Sequence, residues 1–171
     1  MNPLRIIFMG TPSFSLPALQ MLHVAGHEIA GVITQPDRPQ GRGQIAAAPA
    51  VKILAEKLEL PVFQPENIRE ETAVEMIKNL CPEMIVVAAF GQILPKTVLD
   101  IPQRGCLNIH PSLLPRYRGA APINWTLIKG ETKTGVTIML MDEGMDSGDI
   151  LKQQETDIAP TENFGHLQDR L

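Results

Sequence analysis

Only two of the 171 residues are cysteine, and Cys81 and Cys106 neither form a disulfide framework nor stand at metal-ligand spacing. Both are expected to be buried, reduced thiols of a cytosolic protein. Long apolar runs are missing as well: none approaches the roughly 20 residues that a spanning helix needs, and MNPLRIIFMG leads straight into structure rather than reading as a targeting segment. Positive charge is not in excess. A formal net charge of −4 argues against non-specific nucleic-acid binding by the domain as a whole, so any phosphate contact must be local. Internal repeats and low-complexity segments are absent. What remains is a cytoplasmic globular chain, 44% hydrophobic and long enough for one well-packed domain.

Familiar nucleotide and nucleophile motifs are also lacking. After the first apolar run the chain reads GTPSFSLPA, with one glycine where a dinucleotide fingerprint has three, and Pro12 restricts the turn. No G-K-[ST] ending marks a Walker loop. Ser112 and Cys106 lack the G-x-S-x-G setting of an activated nucleophile, so both read as structural. The acidic run MDEGMDSGDI lacks the oxygen-ligand spacing of an EF-hand. His23, His27 and His166 read as surface residues.

What is present is an alternation of strands and helices. LRIIFM and EIAGVIT are short apolar runs flanking a helical segment in which Leu16, Leu19, Leu22 and Met21 form a stripe, Pro17 fits the first turn, and Ser13 or Ser15 can cap. Gln35 to Gln44, rich in Pro and Gly, is expected as an exposed loop. A helix over Pro49 to Leu58, with Val51, Leu54, Ala55 and Leu58 on one face, a brief extended PVFQ and a helix over Glu70 to Leu80 follow. EMIVVAAF is uninterrupted and apolar, as a strand covered on both faces would be. Gly105 to His110 reads as a strand, Pro122 to Lys129 as a helix stopped by Gly130, and GVTIMLMD and DILKQQETDI as two late strands. A last helix starts near Thr161. The expectation is an α/β fold: a doubly wound, mostly parallel sheet with an antiparallel edge formed by the last two strands. Ligands in such sheets bind beyond the carboxyl ends of the strands.

LNIHPSLLPRYRGAAPINW places Asn108 and His110 two apart at a strand end, so both side chains leave the same face. An amide and an imidazole there can donate hydrogen bonds to an oxygen gaining negative charge, or simply tie a loop together. The acids of MDEGMDSGDI offer a carboxylate to orient His110, but spacing does not say which one.

GTPSFSLPALQML, TQPDRPQGRG, AAFGQILP, NIHPSLLPRYRGAAPINW and GVTIMLMDEGMDSGDIL together resemble the methionyl-tRNA formyltransferase family, in order and over nearly the whole chain. The resemblance implies a Rossmann-like formyltransferase fold and transfer of a formyl group from 10-formyltetrahydrofolate to the α-amino group of methionine on initiator methionyl-tRNA, in the cytoplasm, by a monomer without metal. It implies Asn108, His110 and Asp146 as the catalytic trio. It implies a folate site lined by Phe90, Gly91, Gln92, Ile93, Leu94 and Pro95 with Ser112, Leu113, Leu114 and Pro115. Gly10, Thr11 and Pro12 would border the amine substrate, and Arg38 and Arg42 would approach the tRNA acceptor stem. Residues 1–171 would then be the catalytic domain, truncated before the family's C-terminal β-barrel that grips tRNA. Family loops often carry lysines after G-R-G; Gln44, Ile45 and Ala46 stand here instead, which lowers local positive charge. The alternatives are a formyltransferase acting on glycinamide ribonucleotide or an amino-sugar nucleotide, and a non-catalytic folate- or nucleotide-binding module.

Overall fold

The run LRIIFM becomes a strand with no exposed face, since Ile6 to Met9 are at most 1% accessible. Burial on both sides is what a parallel sheet interior demands of a strand. The computed structural model describes residues 2–40 and 45–171, in two compact units, Met1–Cys106 and Leu107–Leu171.

The first unit holds β1 (Arg5–Gly10), α1 (Leu16–Val24), β2 (Glu28–Ile33), α2 (Ala50–Lys57), β5 (Val62–Phe63), α3 (Glu71–Asn79), β6 (Met84–Ala88) and α4 (Lys96–Leu99). Strands pair in parallel, β1 with β2 and β6, and β2 with β5. The chain starts at β1, builds outward through β2 to β5, then returns to β6 on the other side of β1, so the switch of direction lies at the carboxyl ends of β1 and β6. Leu19, Val51, Ala55, Ala73, Val74, Ile77 and Val98 supply the buried helical positions.

Three local expectations change. Ser15 precedes α1 but caps nothing, because its backbone is already helical (φ −80°, ψ −16°) rather than extended; its buried hydroxyl donates to the Ala88 carbonyl at 2.6 Å. Met21 is 65% exposed and outside the apolar stripe. The loop over Gln35 to Gln44 contains β3 (Arg38–Gln40), antiparallel to β4 (Ile45–Ala47), a hairpin that a period-based reading passes over because its strands are three residues long and carry a proline. Residues 41–44, with Arg42 among them, lie outside the described residues. Lys52 Nζ lies 2.8 Å from Asp37 Oδ2, and Gln64 donates to Asp37 Oδ1 at 2.7 Å; these two bonds, Gln64 first, hold the Asp37 carboxyl below its ordinary range.

The second unit is built on β7 (Cys106–His110), α5 (Pro122–Ile128), β8 (Lys133–Leu140), β9 (Ile150–Asp157) and α6 (Phe164–Arg170). The first residue of β7, Cys106, belongs to the first unit. Strand order is β5-β2-β1-β6-β7-β8-β9, a mostly parallel sheet with an antiparallel edge as expected. That edge begins one strand early, because β8 runs antiparallel to β7 as well as to β9. The β8–β9 pair is tight: a Cβ at Gly135 would sit 2.1 Å from the Gln154 carbonyl oxygen, so only glycine fits. At α6 the Asn163 side chain accepts from the His166 amide, the N-cap that Ser15 does not provide.

The two cysteines part company. Cys106 is buried, and burial followed by the nearby Asp100 charge pushes its thiol up to about 12, whereas Cys81 is exposed, contrary to expectation. Cys81 sits just past α3 with a positive φ of 47°, in a turn whose backbone strain no pattern of apolar residues announces. A thiol reagent at pH 8 is expected to modify Cys81 quickly and Cys106 only after unfolding, counted by mass spectrometry. Because the folded Cys106 keeps its proton above the pH at which an unfolded thiol loses it, stability should fall as pH rises from about 9 toward 12.

Candidate active site

Each unit gathers its own polar cluster. In the first, three side chains converge on carbonyls at the end of β6. Ser15 donates to Ala88, Thr11 Oγ1 donates to the Phe90 carbonyl at 2.9 Å, and Gln35 Nε2 donates to the same oxygen at 3.3 Å. The Gln35 amide in turn donates to Thr11 Oγ1 at 3.4 Å. Thr11 therefore meets the Phe90 segment, and Gly10 pairs with Ala88, at the switch point between β1 and β6. Gly10 has no room for a Cβ, which would lie 2.8 Å from Ser15 Cβ and 2.9 Å from a Phe8 ring carbon. Nothing in the sequence distinguishes Gln35, which opens a stretch that reads as loop.

Of the six residues from Phe90 to Pro95, Phe90 and Leu94 are buried, 2% and 5% accessible, and anchor the segment, while Gly91 and Ile93 face outward. Gln92 is tied down on both sides, accepting from the Ile68 amide at 2.8 Å and donating to the Glu66 carbonyl at 3.3 Å. Arg38 is exposed, with its guanidinium 3.0 Å from Glu66 Oε2.

In the second unit the expected trio does come together, around one carboxylate. Asn108 Nδ2 donates to Asp146 Oδ1 at 3.1 Å, the Gly119 amide donates to Asp146 Oδ2 at 2.8 Å, and His110 Nδ1 lies 3.6 Å from that same Oδ2. Of the four acids in the run, Asp146 is thereby singled out. Asp142 serves its own turn, accepting from the Gly144 amide and the Ser147 hydroxyl. The other ring nitrogen of His110, Nε2, lies 2.9 Å from the Tyr117 carbonyl. A carbonyl only accepts, so Nε2 carries a hydrogen. His110 is 5% accessible and the Asp146 side chain 15%, so these polar groups interact in a setting where each depends on its partners.

The backbone around the trio is held in the left-handed region at Tyr117 (φ 58°), Gly119 (φ 81°), Ala121 (φ 54°) and Asp146 (φ 50°). Such positions cost roughly 1–3 kcal/mol each for a residue with a Cβ and collect where surrounding structure imposes them. Tyr117 and Gly119 supply backbone groups to the site, roles that carry no side-chain signature; Gly119 alone had a signal, as the glycine in RYRGAAP.

The segment from Ser112 to Pro115 is fastened from beneath. Ser112 is fully buried and donates to the Arg116 carbonyl at 2.7 Å. Thr137 Oγ1 donates to the Ser112 carbonyl at 2.6 Å and accepts from the Leu114 amide and from Gln153 Nε2. Leu113 is half-buried, Leu114 buried and Pro115 exposed. Among the described residues no group of three or more His, Cys, Asp or Glu side chains is placed to hold a metal ion. No helix is long and apolar enough to cross a membrane, again among the described residues.

The family described as Formyl transferase matches residues 4–171. Among curated relatives, a methionyl-tRNA formyltransferase from Syntrophus aciditrophicus (strain SB) is 63% identical over 171 residues, covering 100% of this chain and 55% of that protein. One from Geotalea uraniireducens (strain Rf4) is 58% identical over the same coverage. The chain spans about half the length of these relatives. Among solved structures, a phosphoribosylglycinamide formyltransferase from Bacillus halodurans superposes with a TM-score of 0.79 at 24% identity, covering 97% of this chain and 86% of that one, a likeness of fold.

Asp146→Ala removes both acceptors and is expected to destabilise the protein by about 1–3 kcal/mol, the cost of donors left without partners. Asp146→Asn keeps one acceptor oxygen and tolerates the left-handed backbone, so its urea midpoint should fall between those of Asp146→Ala and the parent.

Proposed function

The chain belongs to the formyl transferase family, and we propose that it transfers a formyl group from 10-formyltetrahydrofolate to the α-amino group of methionine esterified to initiator tRNA. The observation that carries this reading is the convergence of Asn108, His110 and Gly119 on the Asp146 carboxylate. The names of relatives at 58–63% identity support the tRNA-borne acceptor.

A free α-amino group titrates near about 8, and esterification lowers that value, so much of the nucleophile is neutral at pH 7 without a strong base. Its nitrogen attacks the formyl carbon and the carbonyl electron pair moves onto oxygen. Stabilising that oxygen is the main demand on the protein, worth roughly 3–4 kcal/mol per donor. Both expected donors already have protein partners. Asn108 spends one N–H on Asp146 and keeps a second for the oxyanion. His110 spends Nε2–H on Tyr117, which leaves Nδ1; its 3.6 Å separation from Asp146 exceeds hydrogen-bond range, so a protonated Nδ1 can turn to the oxyanion without breaking a formed bond. Asp146 holds the charge opposite. Collapse of the intermediate breaks the bond to the folate nitrogen, which takes the proton the amine releases, relayed by Asp146 and water.

The remaining roles follow the same reading. In the first unit the outward Gly91 and Ile93 offer apolar surface to a pterin, and Gly10, Thr11 and Pro12 are assigned to the amine substrate; in the second unit Pro115 is exposed. Arg38 is assigned to the acceptor stem; its exposed pair with Glu66 could exchange for a phosphate at little cost.

A formyl-transfer assay offering methionyl-tRNA and glycinamide ribonucleotide together tests the acceptor: transfer to methionyl-tRNA is expected, and turnover on glycinamide ribonucleotide alone would overturn it. His110→Ala or Asn108→Ala should lower the rate by about 10²-fold or more with little change in donor affinity, on the scale of one lost oxyanion donor. A mild loss would return both residues to a structural role.

A further inference from the structure

We propose that Glu131 is a positioning residue for His110, acting through Tyr117 to fix which imidazole nitrogen carries the hydrogen. Glu131 lies just past α5, its amide donating to the Thr126 carbonyl at 3.2 Å and its side chain only 20% exposed. One carboxylate oxygen, Oε1, accepts from both the Tyr117 hydroxyl and the Arg116 guanidinium. The same guanidinium lies over the Tyr117 ring, 5.6 Å from its centroid. The Arg116 carbonyl is pinned separately by the buried Ser112 hydroxyl at 2.7 Å.

These ties converge on a backbone position that would not stay where it is unaided. A tyrosine at φ 58° is a genuine outlier, and relaxation toward negative φ would rotate its peptide and swing the carbonyl away. Held in place, that carbonyl meets His110 Nε2 at 2.9 Å. Because it can only accept, it keeps a hydrogen on Nε2, so the second proton that makes the ring a donor to the oxyanion goes to Nδ1, facing Asp146 and the reacting atoms. The Tyr117 hydroxyl remains a donor across neutral pH, since its bond to Glu131, then burial, hold its pKa above the ordinary tyrosine value. Glu131 thus touches none of the reacting groups; it acts two bonds removed. The clamp stands on this geometry, and its catalytic consequence rests on the reaction proposed above.

The test is nitrogen-15 NMR of the histidine rings, which reports the hydrogen on each nitrogen at a pH where the ring is neutral. The parent chain should show His110 in the Nε2–H form. Glu131→Ala and Tyr117→Phe should both give a mixture of tautomers, and Glu131→Gln, which keeps an acceptor oxygen for the tyrosine hydroxyl, should restore the parent pattern. In the formyl-transfer assay the first two variants should lose roughly tenfold to a hundredfold in kcat, the scale of a misplaced reacting group, with KM for the formyl donor unchanged. Tyr117→Phe removes a single oxygen and keeps the ring, so the test survives a Glu131→Ala chain that fails to fold. Parent-like His110 tautomers in both variants would overturn the proposal. A tautomer response in a chain that transfers no formyl group would leave the clamp in place and remove only the reaction assigned to it.

Discussion

Two oxygens of Asp146 organise the polar geometry of the second unit. They accept from the Asn108 amide and the Gly119 backbone and lie close to the His110 imidazole, so that β7, the segment after it and the turn after β8 meet at a single negative charge. With its side chain only 15% exposed, this carboxylate has exchanged most of its water for protein donors, and hydrogen bonds to an ionised acceptor are roughly twice as strong as neutral ones. The dependence is mutual: the donors need the carboxylate just as it needs them, and loss of either side leaves the other buried without a partner.

A cost accompanies the arrangement. Tyr117, Ala121 and Asp146 all adopt a left-handed backbone that their Cβ atoms disfavour, within the stretch that supplies the site. The interactions that offset it are specific. Gly119 fills the position where no side chain fits comfortably, since a Cβ there would lie 3.0 Å from Met145 Sδ. Glu131 ties the side chains of Arg116 and Tyr117, and Thr137 ties the segment after His110. In the proposed reaction these ties would leave the donors preorganised, with little to rearrange when charge develops.

The first unit solves a different problem by different means. Its strand order puts the switch point at the carboxyl ends of β1 and β6, and the hydroxyls of Thr11 and Ser15 and the amide of Gln35 donate to the carbonyls there. These are neutral bonds in a parallel sheet whose strands are buried on both faces. They shape a border rather than concentrate charge.

The amino-acid order by itself determined where strands and helices form, because runs such as EMIVVAAF and the helical spacing of Val51 and Ala55 are local patterns of apolar residues. It also determined that Asn108 and His110 share a face, since two-residue spacing on a strand leaves no other choice. The tertiary structure alone decided which of four acids meets them, because Asp146 and Asn108 lie 38 residues apart and their contact depends on the pairing of β7 with β8. It paired β8 antiparallel to β7 as well as to β9, turned part of an expected loop into the β3–β4 hairpin, and left Cys81 exposed. Above all it engaged the donors proposed for catalysis with protein partners. The Tyr117 carbonyl and the Gly119 amide belong to the backbone, and a backbone group is the same in every residue until the fold gives it a direction.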